Sequence, residues 1–435
     1  MKTKYSAAAL LFIVMALGAL TSCQDKTYEE VTYTANVPVV MGFNEFRSAV
    51  VKKAPQGLNN PGKIYFKDNF IFVNEFQEGI HVIDNANPES PVFLNFITIP
   101  GNIDMAIMGN ILYVDSYIDL VAIDITDPHN PLEIDRVENA FPNVVPPITD
   151  LNYPVYGLDF AKGVVVGWET REVTEVVHKE NNGFGFGKVM YDNAGVPSIG
   201  QSEVRFNSST TGIGGSMARF TLANGYLYAL HNNTLKLFNV NTTPGITTGS
   251  EVYLDREVET LFPHGNRLFM GTTTGMLVYD VSSPSNPTYI SAFNHINSCD
   301  PVVIEDNFAY VTLRSGTQCN NASTNQLDVI DISSITNPFL VKSYPMSNPH
   351  GLGIDNKILF ICDGNAGLKI YDATDPMMIH MNQIAHYADI KTFDVIPVNG
   401  LLLMIGANGL YQYDYSNPQA ITLLSYIPAT AIKAP

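Results

Sequence analysis

The chain has 435 residues, 46% of them hydrophobic, with 42 acidic against 24 basic side chains and a net charge of −18. That length is ample for a large buried core. With no basic stripe the charge argues against a nucleic-acid partner, and the acidic surplus reads as a solubilising surface.

In chain order, the first feature is an export signal. Lys2 and Lys4 precede an apolar run from Ala7 to Leu20, and small residues lead to Cys23. A charged start, a short apolar run and small residues at the cut describe a secretory signal, and the run is shorter than the ~20 residues that span a bilayer. Leu20-Thr21-Ser22-Cys23 resembles the lipobox of bacterial lipoproteins. That resemblance implies a signal peptide over residues 1–22 and lipidation of Cys23. It also implies a cell-envelope, outer-membrane lipoprotein of a Bacteroidetes-like bacterium, facing the periplasm or the cell surface. Two or more acyl chains make a stable anchor. Residues 23–36 then read as the lipidated cysteine and a tether. The segment from Val37 to Val50 is apolar enough to be ordered, and it is expected to complete a blade begun at the other end of the chain.

From residue 37 to 435 a phrase recurs: LVAIDITDPHNP at 120–131, MLVYDVSSPSNP at 276–287, LDVIDISSITNP at 327–338 and four looser copies. Anchored on Asp84, Asp124, Asn239, Asp280, Asp331, Asp372 and Asp414, the steps are 40, 115, 41, 51, 41 and 42 residues. A period of about 40 residues built from short apolar runs between Gly, Asn and Pro turns predicts an all-β fold, a β-propeller of four-stranded blades. The strands of each blade are named a to d here. Seven units are plain, and residues 153–177 supply strand-like runs for one more. Eight blades are therefore expected, with seven as the alternative. A Gly- and Ser-rich stretch near 179–215 reads as an insertion into this single domain. The phrase is similar to the LVIVD-repeat family, which implies a propeller and an exported protein but no settled chemistry.

The seven anchor residues have a structural reading. Each ends strand c before a turn, where an Asp or Asn side chain accepts backbone N–H groups. Candidate ligand-binding residues come from the opposite face, where strand a starts and strand b ends. These are Lys63, Asp104, Arg219, Asp300, His350 and Asp394 at the starts, and Glu75, Asp115, Trp168, Glu169, His231, Arg314 and Asp363 at the ends. Polar residues at the mouth of an apolar channel, with the chain's one Trp beside a carboxylate, suggest a peptide or sugar platform. No catalytic motif is found, and the nine histidines show no metal-ligand spacing. The expected function is non-enzymatic binding of an envelope protein, peptide or glycan by a monomer. The alternative is a hydrolase or lyase using Asp104, His350 and Asp394. No cofactor is expected, although an ion held in the channel is compatible with those residues. Cys299 and Cys319, on adjoining elements of one unit, are the expected disulfide, with Cys362 the rival partner.

Overall fold

The computed structural model describes residues 28–148, 150–178, 213–214, 216, 218–241, 245–294, 301–315 and 324–430. Cys23, Cys299, Asp300 and Cys319 lie outside them.

By its internal contacts the chain divides into two compact units, the smaller drawn from Met1–Pro38, Ile148–Leu158 and Trp168–Gly195. In the smaller unit, Ala35, Val37 and Val173 form a small core with Tyr33 and Tyr156. The amide of Asn36 donates to the Asp150 and Tyr153 carbonyls, both at 2.8 Å.

The larger unit is a β-propeller of seven four-stranded blades, not eight. Blade 1 runs through Pro61–Lys67, Phe70–Glu75, Gly79–Asp84 and Val92–Thr98. Blade 2 uses Met105–Met108, Ile111–Ser116, Asp119–Asp124 and Leu132–Val137. Blade 3 uses Phe220–Ala223, Tyr226–His231, Thr234–Asn239 and Thr247–Tyr253. Blade 4 uses Val258–His264, Arg267–Thr272, Gly275–Asp280 and Thr288–Asn294. Blade 5 uses Val302–Glu305, Phe308–Leu313, Gln326–Asp331 and Phe339–Pro345. Blade 6 uses Leu352–Asp355, Ile358–Cys362, Leu368–Asp372 and Gln383–Tyr387. Blade 7 uses Thr392–Val398, Leu401–Gly406, Gly409–Asp414 and Thr422–Pro428.

The expected eighth blade at 153–177 is absent. Its apolar alternation belongs to one long strand, Val164–His178, which pairs with Tyr28–Met41 in a two-stranded sheet. The same pairing overturns the closing role given to Val37–Val50. Part of that segment sits in Tyr28–Met41, and Phe43–Arg47 is a short helix. Each blade is one unbroken stretch of chain. Among the described residues blade 1 alone gains strands, Val51–Lys53 on its outer edge and Ile213–Gly214 on its inner edge.

The repeated turn has one chemistry in all seven blades. The side chain of each anchor residue, from Asp84 to Asp414, accepts the N–H two residues on, at 2.7–3.0 Å. The N–H in between donates to the carbonyl of the a–b turn, as Ile125 does to Asn110 at 2.8 Å and Tyr415 to Gly400 at 2.8 Å. The hydrogen bonds hold the carboxyls of Asp124, Asp280, Asp372 and Asp414 below the usual carboxylate range.

A second recurrence joins neighbouring blades. The fourth residue of strand d follows a bulge and reaches the c–d turn of the next blade. Asn95 donates to the Pro128 carbonyl at 2.8 Å, Ser250 to Ser285 at 2.9 Å and Ser291 to Ile335 at 2.5 Å. Asp135 accepts the Ile246 N–H. In blades 5 and 6 a tyrosine further along strand d takes over. Tyr344 donates to the Pro376 carbonyl at 2.7 Å, and Tyr387 accepts the Ile421 N–H at 3.1 Å. Ser425 holds this position in blade 7, yet its buried hydroxyl has no hydrogen-bond partner among the described residues.

The step from blade 7 to blade 1 is closed differently. The amides of Asn85 and Gln412 bond reciprocally at 2.9 and 2.8 Å, and Thr430 N–H donates to the Leu58 carbonyl at 2.9 Å. Ile64, Ile71 and Ile83 share an apolar core there with Ile396, Leu403 and Leu410. Ser291→Ala should therefore cost on the order of 1 kcal/mol, a typical net hydrogen bond. Ser425→Ala should cost nothing or stabilise, because it removes an unsatisfied buried hydroxyl. Denaturant midpoints of the two variants compare them directly.

Candidate functional site

The innermost strands bring the expected polar residues of blades 1, 2 and 7 into the ring interior. Lys63 on strand a of blade 1 is ion-paired with Asp104 of blade 2, and both side chains are 2% exposed. Asp104 also accepts the N–H groups of Met105 and Arg219, each at 2.8 Å. Burial pushes the Lys63 ammonium down and the Asp104 carboxyl up, and their mutual attraction opposes both shifts. One oxygen of Asp115 accepts from Asn102 Nδ2 and from the N–H groups of Ile103 and Asp104, all at 2.8 Å. Burial outweighs these bonds and raises the Asp115 carboxyl to about 6. Asp394 in blade 7 is fully buried. Its Oδ1 accepts Ser216 N–H at 3.3 Å, its Oδ2 has no hydrogen-bond partner among the described residues, and burial pushes this carboxyl well above 3.8.

These groups are tied together by residues leading out of the Gly- and Ser-rich insertion. Ile213 and Gly214 pair with Phe66 and Tyr65 of blade 1. Ser216 bonds Asp394 of blade 7 and, through its hydroxyl, accepts Leu352 N–H of blade 6 at 2.7 Å. The Ala218 carbonyl takes Leu261 N–H of blade 4 at 2.6 Å, and the Arg219 carbonyl takes Leu230 N–H of blade 3 at 2.9 Å. With Arg219 N–H on Asp104 of blade 2, this strap is stitched to six of the seven blades. Sequence reading gave the strap no role, because a Gly- and Ser-rich stretch carries no periodic pattern.

The other candidates fall into separate sets. Glu75 bonds His81 Nε2 at 2.8 Å and accepts Asn59 N–H at 3.0 Å, and both side chains are buried. His350 Nε2 faces Arg314 Nη1 at 3.3 Å and Asn348 Nδ2 at 3.2 Å. Two donors there make Nε2 the acceptor and place the ring proton on Nδ1. Asp363 accepts Ser347 and Asn348 N–H groups at 3.1 and 2.7 Å and pairs with Lys369 at 2.5 Å. His231 lies tilted against Phe141, with centroids 5.9 Å apart and ring planes 49° apart, and burial lowers it to about 4. Trp168 and Glu169 lie on the long strand Val164–His178, so they do not end strand b of a blade. Cys362 is fully buried in strand b of blade 6. Among the described residues no group of three His, Cys, Asp or Glu side chains is arranged to hold a metal ion.

This architecture defines a repeat β-propeller. The LVIVD repeat model matches residues 103–139 and 298–345, the stretches that hold blades 2 and 5. No curated protein matches the sequence. Similar solved structures include the periplasmic gluconolactonase PpgL of Pseudomonas aeruginosa, 10% identical with a TM-score of 0.52, covering 85% of this chain and 96% of that one. A protein from Lactobacillus plantarum is 11% identical with a TM-score of 0.51, covering 86% and 97%. The computationally designed Ika8 protein is 9% identical with a TM-score of 0.50, covering 87% and 92%. At these identities the likeness is one of fold alone.

Proposed function

We propose that this protein is a monomeric, lipid-anchored β-propeller of the cell envelope that binds a protein, peptide or glycan and catalyses no reaction. The observation that carries the reading is the fate of the interior polar groups. Lys63 and Asp104 spend their charges on each other across two blades, Asp104 also accepts Arg219 N–H from the strap, and Asp394 accepts Ser216 N–H from it. The three residues an acid–base site would need hold different partners: Asp104 has Lys63, His350 has Arg314 and Asn348, and Asp394 has Ser216. Catalysis by a titratable pair requires the groups to converge on one reacting atom. Binding requires only surface shape and scattered polar groups, which the loops and outer strands supply.

A soluble form starting after Asp25, screened against envelope proteins and glycans, should give saturable binding without turnover. Turnover that disappears in Asp394→Asn would overturn this reading. Anchoring is expected to rest on Cys23: a palmitate analogue should label the full chain in cells and leave Cys23→Ser unlabelled.

A further inference from the structure

Six of the seven outer strands present an edge that no described strand pairs with, and one is covered by the chain itself. On blade 1, Val51–Lys53 adds antiparallel to strand d, with Val51 opposite Thr98, Lys52 opposite Ile97 and Lys53 opposite Phe96. Lys52 then reaches over the c–d turn of blade 2, to Asn130 Oδ1 at 2.7 Å and the His129 carbonyl at 3.3 Å. The fold thus contains one worked example of strand addition by an extended, lysine-bearing segment.

Blade 3 offers the same elements uncovered. By register on strand c, Glu251, Val252 and Tyr253 stand where Phe96, Ile97 and Thr98 stand in blade 1. Asn286, six residues after Asp280, matches Asn130, six residues after Asp124. This outer strand is exposed at every position but Val252, and Tyr253 is 77% exposed. Four of the other edges are blunted or engaged. Pro345 and Pro428 occupy the Thr98 position in blades 5 and 7, where proline removes an edge donor. Arg136 of blade 2 is committed to Glu133, Asp119 and the Arg47 carbonyl. In blade 4 Asn294 is held by Arg256 at 2.9 Å.

We propose that the outer edge of blade 3, Thr247–Tyr253, binds an extended, lysine-bearing segment of a partner protein as a fifth antiparallel strand. This rests on the binding function proposed above and names the partner's chemistry. Main-chain bonds to the open edge supply affinity. One lysine opposite Val252 reaches Asn286, as Lys52 reaches Asn130. A second basic residue opposite Glu251, where blade 1 has an apolar Phe96, would share that carboxylate with Lys236 of strand c, its ion-pair partner within the blade, and opposite charges directly across strands stabilise such a pair. A second copy of the chain is a poor occupant, because each copy carries a net charge of −18.

The test uses the soluble protein and a panel of octapeptides that alternate Val or Thr with one or two lysines, headed by the chain's own Ser48–Pro55 sequence. Amide hydrogen exchange at 247–253 should slow saturably and at least severalfold with members of the panel. Glu251→Lys should weaken that binding about tenfold, and Val252→Pro should abolish it in protein whose thermal melt is retained. If no peptide slows exchange there, or if Glu251→Lys leaves binding unchanged, the assignment is wrong. A partner that protects only other loops would also overturn it while leaving the broader binding function standing.

Discussion

Replacing Asp104 by Ala should lower the unfolding free energy by about 3–5 kcal/mol, the usual penalty for stranding a buried charge. The variant leaves the Lys63 ammonium inside the ring without its partner, and it also removes an acceptor for Arg219 N–H. The contribution of the pair itself is a different quantity. Desolvating two charges costs nearly what their attraction returns, so the double change Lys63→Met with Asp104→Leu should recover most of the loss. Equilibrium denaturation of the two single variants and the double variant closes the cycle. A double variant as unstable as Asp104→Ala would mean that the strap depends on the Asp104 carboxylate, not on charge balance.

Asp394→Asn should stabilise the protein at neutral pH, and the gain should depend on pH. The folded carboxyl is pushed well above 3.8 by burial. A group raised in the folded state contributes stability that is fully present below its unfolded value and is lost as pH rises through the folded value. Asparagine keeps Oδ1 for Ser216 N–H and has no proton to lose. The advantage of Asn should be near zero around pH 4 and grow as pH rises, by about 1.4 kcal/mol for each unit separating the two values. Unfolding midpoints measured from pH 4 to 8 read this directly. A constant offset across that range would mean that the carboxyl titrates normally in the folded chain.

The repeat was legible because its chemistry is local. An Asp or Asn that accepts the N–H two residues on needs nothing distant, and the same spacing appears from Asp84 to Asp414. The blade count was misread for the converse reason. Residues 153–177 alternate apolar and polar as any half-buried strand does, and a two-stranded sheet satisfies that pattern as well as a blade. Asp159 even accepts the Ala161 N–H at 3.0 Å, as an anchor residue would; what the stretch lacks is an apolar strand ending in that Asp, and that absence was the available signal. The polar strand starts were read from the sequence as candidates on one face; Lys63 and Asp104 meet there, His350 holds other partners, and Asp300 lies outside the described residues. Their pairing was not legible, because it depends on Ser216, Ala218 and Arg219 arriving from a stretch with no periodicity. Ser425 could be aligned with Ser291 from sequence, but its missing partner is visible only once blade 1 stands beside blade 7.

Closure without strand exchange sets the timetable of assembly. Blades follow one another along the chain in the order in which they are synthesised, so each can form before the next exists. The strap cannot. Ser216 lies 136 residues ahead of Leu352 and 178 ahead of Asp394, and its side-chain and backbone partners on blades 6 and 7 are made last. Leu58 and Thr430, which seal the ring, are separated by 372 residues. Contacts of such separation form late and slowly. Until the final few residues emerge, the growing ring is an arc whose first and last blades expose the faces that will eventually meet.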